Sequence, residues 1–334
     1  MQEGKLTSWT QRDGLSGDLV RALAEDSRGR LWVGTNQSLD VIEAGHLVQP
    51  PPAVRALGAI AIQLLHEDHA GRLWIATEGN GLYVLDSGRL TQYGRADGLP
   101  NARVYAIHED DDGTLWLGTS DGLARMRSGR FTPLARGSGP QQETILGILD
   151  DRAGSLWITA NRGLFALNRA SLAEFAAGLR AGPEFRAYGL PDGLRTSEFN
   201  GGNTGAGVRA VDGSFWLPTI RGFVRVDPGQ IRTNPLRPPV LIEQVIVDGA
   251  TFHANAPVRS RPGAMSWEFQ YTALSLLAPG RVQFRYRLEG FDKSWVEAGT
   301  RRTAFYTGLP PGNYTFRGIA SNDDGVWNQS GAAL

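Results

Sequence analysis

A repeat built around one tryptophan constrains this chain more than any other feature of its sequence. The pattern Leu-Trp-x-x-Thr, or a close variant, occurs five times, with the tryptophans at Trp32, Trp74, Trp116, Trp157 and Trp216. Their spacings are 42, 42, 41 and 59 residues. A constant period near 42 residues is typical of one four-stranded blade of a β-propeller. The chain is therefore predicted to contain at least five propeller blades.

Each repeat has the same internal order. A first strand is followed by an Asp-x-x-Gly turn at 26–29, 68–71, 110–113 and 151–154. Aspartate can accept hydrogen bonds from the turn backbone, and glycine supplies the positive φ that closes a short hairpin. The tryptophan strand, a loop ending in Gly-Leu or Gly-Phe, and a third strand come next. Segments 4–15, 88–99 and 184–194 supply fourth strands that end in Asp-Gly-Leu, which leads into the next blade.

The last repeat shows three strands and no obvious fourth, whereas residues 5–9 look like a fourth strand with no blade before it. Pairing these two would close a five-blade ring and remove its exposed edges. The alternative is a truncated ring with blades missing upstream. The long spacing before Trp216 is predicted to hold a helix at 171–180, capped by Ser171, and the alternative is a degenerate hidden blade.

A second domain follows the proline-rich connector at 234–239. The rest of the chain consists of alternating strands separated by turn residues, the pattern of a β-sandwich. Tyr314 follows Leu-Pro-Pro-Gly-Asn, which predicts a tyrosine corner whose hydroxyl bonds a nearby backbone group. The predicted fold is all-β, with a propeller over 1–235 and an immunoglobulin-like or fibronectin-III-like sandwich over 236–334. The last strand of the sandwich is predicted to be short or absent.

Composition excludes several functional classes. The 34 basic residues balance 34 acidic residues, and nucleic-acid binders normally carry a basic excess, so nucleic acid is not expected as a partner. The absence of cysteine removes disulfides and thiolate chemistry. No apolar run reaches the roughly 18 residues of a membrane span, and MQEGKLTSW has no signal-peptide pattern.

The repeat resembles the two-component regulator propeller, and the C-terminal region resembles the triple-tyrosine domain of the same bacterial sensors. The matching C-terminal residues are Tyr286, Tyr306, Tyr314, Trp295 and Trp327. The resemblance implies a periplasmic, ligand-sensing ectodomain of an inner-membrane receptor. Such a domain is not itself catalytic. It passes its ligand state to a histidine kinase, hybrid kinase or diguanylate cyclase, and the intact receptor is expected to be a homodimer.

The chain departs from that pattern in blade number, and it has no membrane helix or output domain. Five blades are visible, where the family often has seven or more. We therefore expect a piece of a longer receptor, which would meet the membrane only through a segment outside this sequence.

A ligand is expected on the propeller face that surrounds the central channel. Loops between second and third strands share this face with the blade-to-blade crossovers, and loops on rigid scaffolds carry function. Their polar side chains differ between repeats, which suits an asymmetric small molecule or oligosaccharide. The candidates are Asn36, Glu78, Asn80, Ser120, Asp121, Asn161, Arg162 and Arg221 from the loops, and Arg103 and Arg195 from the crossovers.

No motif predicts catalysis, a metal or a cofactor. Residues 118–122 match the G-x-S-x-G elbow, but that motif needs a strand-to-helix turn. The run 66–69 (HEDH) is one residue short of the H-E-x-x-H zinc motif, and 109–113 lacks the calcium-loop spacing. Two alternatives stay open: a secreted propeller lectin or polysaccharide-active enzyme, and an intracellular interaction scaffold. The acids Glu78 and Asp121 have no supporting acidic cluster in the sequence.

Overall fold

A computed structural model describes residues 7–134, 139–140, 143–179, 182–201, 206–231, 234–261 and 263–334. The chain divides into two compact units, Met1–Gln230 and Ile231–Leu334. The sequence placed the boundary after residue 235, in the same extended stretch that precedes the first strand of the second unit.

Five antiparallel sheets form the first unit, as the repeat predicts. Blade 1 contains β1 (Val20–Glu25), β2 (Leu31–Thr35), β3 (Leu39–Glu43) and β4 (His46–Val48). Blade 2 contains β5 (Ile62–Glu67), β6 (Leu73–Thr77), β7 (Leu82–Asp86) and β8 (Arg89–Tyr93). Blade 3 contains β9 (Val104–Glu109), β10 (Leu115–Thr119), β11 (Gly122–Arg127) and β12 (Arg130–Pro133). Blade 4 contains β13 (Ile145–Asp150), β14 (Ser155–Ala160), β15 (Gly163–Asn168) and β16 (Phe185–Tyr188). Blade 5 contains β17 (Val208–Arg209), β18 (Phe215–Thr219) and β19 (Gly222–Val226).

Two short helices interrupt the strands. Helix α1 (Pro52–Arg55) lies between blades 1 and 2, and α2 (Arg169–Ala176) lies between β15 and β16. The helix predicted at 171–180 is therefore present inside blade 4, and the alternative of a hidden blade is wrong. Its cap is Asn168 rather than Ser171, because the Asn168 side chain accepts the Ser171 N–H at 2.9 Å. Arg180 lies outside the described residues.

The Asp-Gly-Leu crossovers share one local structure. Each contains a short 3-10 helix, and these are Gln11–Asp13, Arg95–Asp97 and Leu190–Asp192. The glycine after each helix has a φ between 93° and 104°, a left-handed value that favours glycine. Two further 3-10 helices, Pro228–Gln230 and Pro279–Arg281, lie outside the crossovers.

The repeated tryptophan joins each blade to the next. Trp32, Trp74, Trp116 and Trp157 are each at most 3% exposed. In each case the indole N–H donates to the carboxylate of the aspartate six residues earlier, at 2.7–3.0 Å. Their rings pack across the blade boundary, since Trp32 shares a cluster with Ile62 of blade 2. The tryptophan is therefore a core residue and not a surface platform for a ligand.

A small residue in the tryptophan strand lets neighbouring blades approach closely. A Cβ placed on Gly34 would lie 2.6 Å from Ile62 Cγ2, and one on Gly118 would lie 2.6 Å from Ile145 Cγ2. Real Cβ contacts are never this short, so a side chain at either position would force the blades apart. The first strand of each blade thus packs into the second strand of the blade before it.

Three turn aspartates, Asp26, Asp68 and Asp110, have pKa values below the usual value of an aspartate. Asp68 accepts the Arg72 N–H at 2.9 Å and the Trp74 indole N–H at 2.7 Å. Burial raises the pKa of Asp68, but the hydrogen bonds from Trp74 and Arg72 outweigh it and hold the pKa below its usual value. Asp110 follows the same pattern: burial raises its pKa, and hydrogen bonds from His108 and Arg169 lower it further than burial raises it.

These shifts predict a loss of propeller stability in acid. A carboxylate whose pKa is lowered by folding contributes stability above its unfolded pKa of about 3.9, and that stability is lost as the pH falls through the folded value. His66 causes a further loss of stability that begins at higher pH. Burial lowers the pKa of His66, so the folded state disfavours its protonation as the pH falls below about 6.5. Urea unfolding at pH 7, 5 and 3 should give a declining free energy, with the steepest fall below pH 4. Equal free energies at pH 5 and pH 3 would contradict this account of the turns.

Blades 1 and 5 expose the faces that other blades bury. Trp216 is 37% exposed and Phe223 is 70% exposed on blade 5, while Val20 and Leu23 of blade 1 are 41% and 46% exposed. In the described residues blade 5 has three strands, as the sequence indicated, and the chain after Val226 continues into the 3-10 helix Pro228–Gln230. The predicted closing strand 5–9 lies partly outside the described residues, and its described part is not a strand. Ring closure therefore stays a prediction.

Two four-stranded sheets form the second unit, which confirms the predicted sandwich. The first sheet contains β20 (Val240–Val247), β21 (Ala250–His253), β22 (Ser266–Ala273) and β25 (Thr303–Thr307). The second contains β23 (Gln283–Glu289), β24 (Val296–Gly299), β26 (Thr315–Ser321) and β27 (Trp327–Ala333). The last strand has seven residues and pairs with β26, although its Gln-Ser-Gly-Ala run lacks the apolar alternation that would reveal it.

The tyrosines of the sandwich play two roles. Tyr271, Tyr286 and Tyr306 are buried around Phe316, with ring centroids of neighbouring tyrosines 6.1 and 6.2 Å apart. Tyr314 instead donates its hydroxyl to the Pro310 carbonyl oxygen at 2.8 Å, which confirms the predicted tyrosine corner. Two tyrosines of the resemblance, Tyr286 and Tyr306, therefore pack in the core together with Tyr271, and the third, Tyr314, forms the corner.

Candidate functional site

The first strands of neighbouring blades pack against one another, so they form the inner wall of the propeller. The second residue of each first strand occupies an equivalent position in blades 1 to 4. This row consists of Arg21, Gln63, Tyr105 and Leu146. From blade 1 to blade 4, the residue in this row changes from charged to polar to aromatic to apolar. The row was missed because these residues lie inside strands, although counting alternate positions along the aligned first strands would have found it.

An ion pair crosses the boundary between blades 1 and 2. Arg21 Nη1 lies 2.5 Å from Glu78 Oε2 and also donates to Gln63 Oε1 at 3.1 Å. Gln63 is 6% exposed, whereas the side chains of Arg21 and Glu78 are 26% and 42% exposed. A buried amide thus positions the Arg21 guanidinium, which in turn pairs with the partly exposed Glu78 carboxylate.

Backbone hydrogen bonds hold Glu78 and Arg103 together. Glu78 and Arg103 form an isolated antiparallel bridge between the blade 2 loop and the crossover into blade 3. The Glu78 N–H donates to the Ala61 carbonyl oxygen at 3.1 Å, and the Gly81 N–H donates to Ala102 at 3.0 Å. We call Arg21, Gln63, Glu78 and Arg103 the channel-face cluster. Because its loops are tied to both neighbouring crossovers, the cluster is preformed.

A second, more exposed group lies on blade 3. Asp121 accepts a hydrogen bond from Asn101 Nδ2 at 2.9 Å and pairs with Arg95 Nη2 at 3.4 Å. The Ser120 N–H donates to the Arg103 carbonyl oxygen at 3.3 Å, which joins this group to the channel-face cluster through the backbone. Asn80 lies on the neighbouring loop, where its N–H donates to Thr77 Oγ1 at 3.0 Å.

The structure does not bring the remaining candidates to the cluster. They are exposed loop or crossover residues, and they are Asn36, Asn161, Arg162, Arg195 and Arg221. Arg162 approaches Glu143, with Nε 3.7 Å from Oε1. Within the described ranges, none of the five side chains forms a hydrogen bond or ion pair with the channel-face cluster. Their place in a binding site stays a prediction.

The histidines lie at the opposite end of the first strands, near the Asp-x-x-Gly turns. His66 Nε2 and His69 Nδ1 lie 3.7 and 3.6 Å from the same Glu109 oxygen. Among the residues that the structure describes, no three His, Asp or Glu side chains are placed to hold a metal ion. Ser120 of the G-x-S-x-G match lies in a loop between two strands and not before a helix.

Family models match both parts of the chain. The model described as "Two component regulator propeller" matches residues 14–37 and 98–121, and the model described as "Y_Y_Y domain" matches residues 276–334. The chain therefore carries two component regulator propeller repeats followed by a Y_Y_Y domain, as the sequence resemblance indicated.

One curated relative is a histidine kinase, "Histidine kinase P4" of Formosa agariphila, which is 24% identical over 165 residues. The match covers 44% of this chain, and this chain spans only 11% of that protein's length. No helix in the described ranges has the length and apolar character needed to cross a membrane.

Solved structures that align with most of this chain include proteins with different described functions. The extracellular domain of a protein from B. thetaiotaomicron described as a hybrid two component system is 17% identical, with a TM-score of 0.49, and the alignment covers 98% of this chain and 56% of that one. Virginiamycin B lyase from Staphylococcus aureus is 13% identical, with a TM-score of 0.46 and 92% coverage of both chains. Neither likeness reaches a TM-score of 0.5, so the assignment rests on the family models.

Proposed function

We propose that this chain, with its two component regulator propeller repeats and Y_Y_Y domain, is the extracellular sensor region of a two-component receptor. Its propeller binds a polar ligand, and the chain itself catalyses no reaction. The order of the two domains and the histidine kinase among its relatives support this proposal. In the intact receptor, the chain faces the periplasm and its ligand state reaches a cytoplasmic kinase or cyclase.

The ion pair between Arg21 and Glu78, held by the buried amide of Gln63, is the observation that carries the ligand proposal. A guanidinium only donates hydrogen bonds, an ionised carboxylate only accepts them, and an amide does both. Sugar hydroxyls also donate and accept, so an oligosaccharide can satisfy all three groups at once. Tyr105 is next in the row, so an aromatic residue lies on the strand beside these polar groups. Because the loops are preformed, binding requires little ordering of the backbone.

Signalling requires that the ligand bind two receptor arrangements with different affinity. We propose that the intact receptor is a homodimer and that ligand binding changes how its two copies pack. A ligand with equal affinity for both arrangements would produce no signal, however tightly it bound.

Replacing Glu78 with glutamine should weaken oligosaccharide binding about tenfold or more. The change keeps the size of the side chain but removes a charge-assisted hydrogen bond, which is worth about 1.5–3 kcal/mol. A thermal-shift screen of an oligosaccharide library would supply the ligand, and isothermal titration would give its Kd. Glu43→Gln is the matched control, since Glu43 is an exposed glutamate at the other end of the strands.

The outcome distinguishes a binding module from an enzyme. Equal Kd values for the wild type, Glu78→Gln and Glu43→Gln would show that the channel-face cluster is not part of the ligand-binding site. Release of shorter sugars from a bound oligosaccharide by the purified chain would contradict the non-catalytic proposal. Melting temperature should stay nearly unchanged in both variants, because both glutamates are solvent-exposed.

A further inference from the structure

A cleft of about 580 Å³ opens between the two sheets of the sandwich. Val245 and Trp267 line it from the first sheet, and Leu288 and Phe316 line it from the second. The segments 257–261 and 309–314 form its rim. Ligand pockets typically have volumes of about 300–1,000 Å³ and mostly apolar walls, so the cleft has the size and lining of a small-molecule site.

The wall of the cleft is a series of nearly parallel aromatic rings. Trp267 and Phe269 have centroids 6.3 Å apart at an interplanar angle of 15°, and Phe269 and Phe316 have centroids 4.3 Å apart at 5°. Trp267 is only partly buried, so the series ends on a ring that contacts the cleft. A flat aromatic molecule can extend the stack in the offset geometry that aromatic pairs favour.

The charged side chains that line the cleft have one sign. Arg259 and Arg261 are the charged side chains of its lining, and no aspartate or glutamate side chain lines it. Within the described residues, neither guanidinium forms an ion pair. Arginine is well suited to bind a carboxylate through two parallel hydrogen bonds. The rim therefore complements an anionic group on a molecule whose body is apolar.

One side of the rim is fixed in place. The hydroxyl of Tyr314 donates to the Pro310 carbonyl oxygen at 2.8 Å, and its ring lies about 3.3 Å from a Cβ built on Gly312. The tyrosine corner thus holds the 309–314 loop against the cleft. A side chain on Gly312 would have to displace the Tyr314 ring.

We propose that this cleft is a second ligand site, and that it takes a small aromatic carboxylate. The ring enters the cleft beside Trp267, and the carboxylate pairs with Arg259 and Arg261. The site lies wholly within the sandwich, so it does not depend on ligand binding by the propeller.

Isothermal titration with 2-naphthoate tests the proposal on the full chain. The wild type should bind one equivalent, while the uncharged 2-naphthamide should bind at least tenfold more weakly. The double variant Arg259→Ala/Arg261→Ala should weaken 2-naphthoate binding at least tenfold, and Arg237→Ala, which replaces an exposed arginine outside the cleft, should leave it unchanged.

Filling the cleft gives a second, independent readout. Ala264→Phe places a ring in the cleft lining and should reduce 2-naphthoate binding without removing either arginine. Absence of binding by the wild type would overturn the proposal. Equal affinity for the acid and the amide, or unchanged binding by both the double variant and Ala264→Phe, would overturn it as well.

Discussion

Replacing Trp74 with alanine is expected to lower the free energy of unfolding of the propeller by about 3–5 kcal/mol. Trp74 is 1% exposed, its ring centroid lies 6.0 Å from that of Tyr93, and its N–H donates to Asp68 at 2.7 Å. The substitution leaves a cavity at a blade boundary and removes one of two hydrogen bonds that Asp68 Oδ2 accepts, the other coming from Arg72 Nε at 2.7 Å. Urea unfolding at pH 7 measures the change.

Trp216→Ala is the matched control for this prediction. The same repeat position is 37% exposed in blade 5, so its truncation should cost less than half as much. If Trp74→Ala does not fold, Trp74→Phe keeps most of the ring volume and should cost about 1–3 kcal/mol by removing the hydrogen bond from the indole N–H to the Asp68 carboxylate. Equal effects at Trp74 and Trp216 would show that the tryptophan does not join the blades.

Replacing Arg169 with methionine is expected to cost about 2 kcal/mol. Arg169 donates to both carboxylate oxygens of Asp110 at 2.8 Å and lies 3.2 Å from Asp150, so one guanidinium joins blades 3 and 4. Removing one partner of a buried pair costs about 3–5 kcal/mol, and a lower figure applies because 28% of the Arg169 side chain is exposed.

A different ion pair, which lies within blade 3, provides the control. Arg127 pairs with Asp112 at 3.3 Å, but both side chains are more than half exposed. Arg127→Met should therefore change the free energy of unfolding by less than about 1 kcal/mol. A loss at Arg127 as large as that at Arg169 would contradict the bridging role of Arg169.

Short-range patterns predicted the fold well. The Asp-x-x-Gly turn, the tryptophan strand and the Gly-Leu loop each depend on residues that are close in sequence, so the five sheets follow from them. The cap of α2 was misplaced because Asn168 and Ser171 are both good N-cap residues, and only the observed hydrogen bond distinguishes them. The tyrosine corner was found because Tyr314 and Pro310 are four residues apart.

Long-range contacts were not predicted. Arg21 and Glu78 are 57 residues apart in sequence, and their pairing depends on how blade 1 packs against blade 2. Loop position alone identified Glu78 and Arg103 but missed Arg21 and Gln63, which lie inside strands. The packing of Tyr271 against Tyr286 and Phe316 was not predicted either, because it depends on how β22 packs opposite β23 and β26.

Hydrogen–deuterium exchange with and without a bound oligosaccharide tests the central proposal most directly. Amide protection should increase in segments 61–63, 77–81 and 102–105, which carry or support the channel-face cluster, and the Glu78→Gln chain should lose this protection at the same ligand concentration. Protection confined to the outer strands of the blades or to the sandwich, with segments 61–63, 77–81 and 102–105 unchanged, would contradict ligand binding at the channel face.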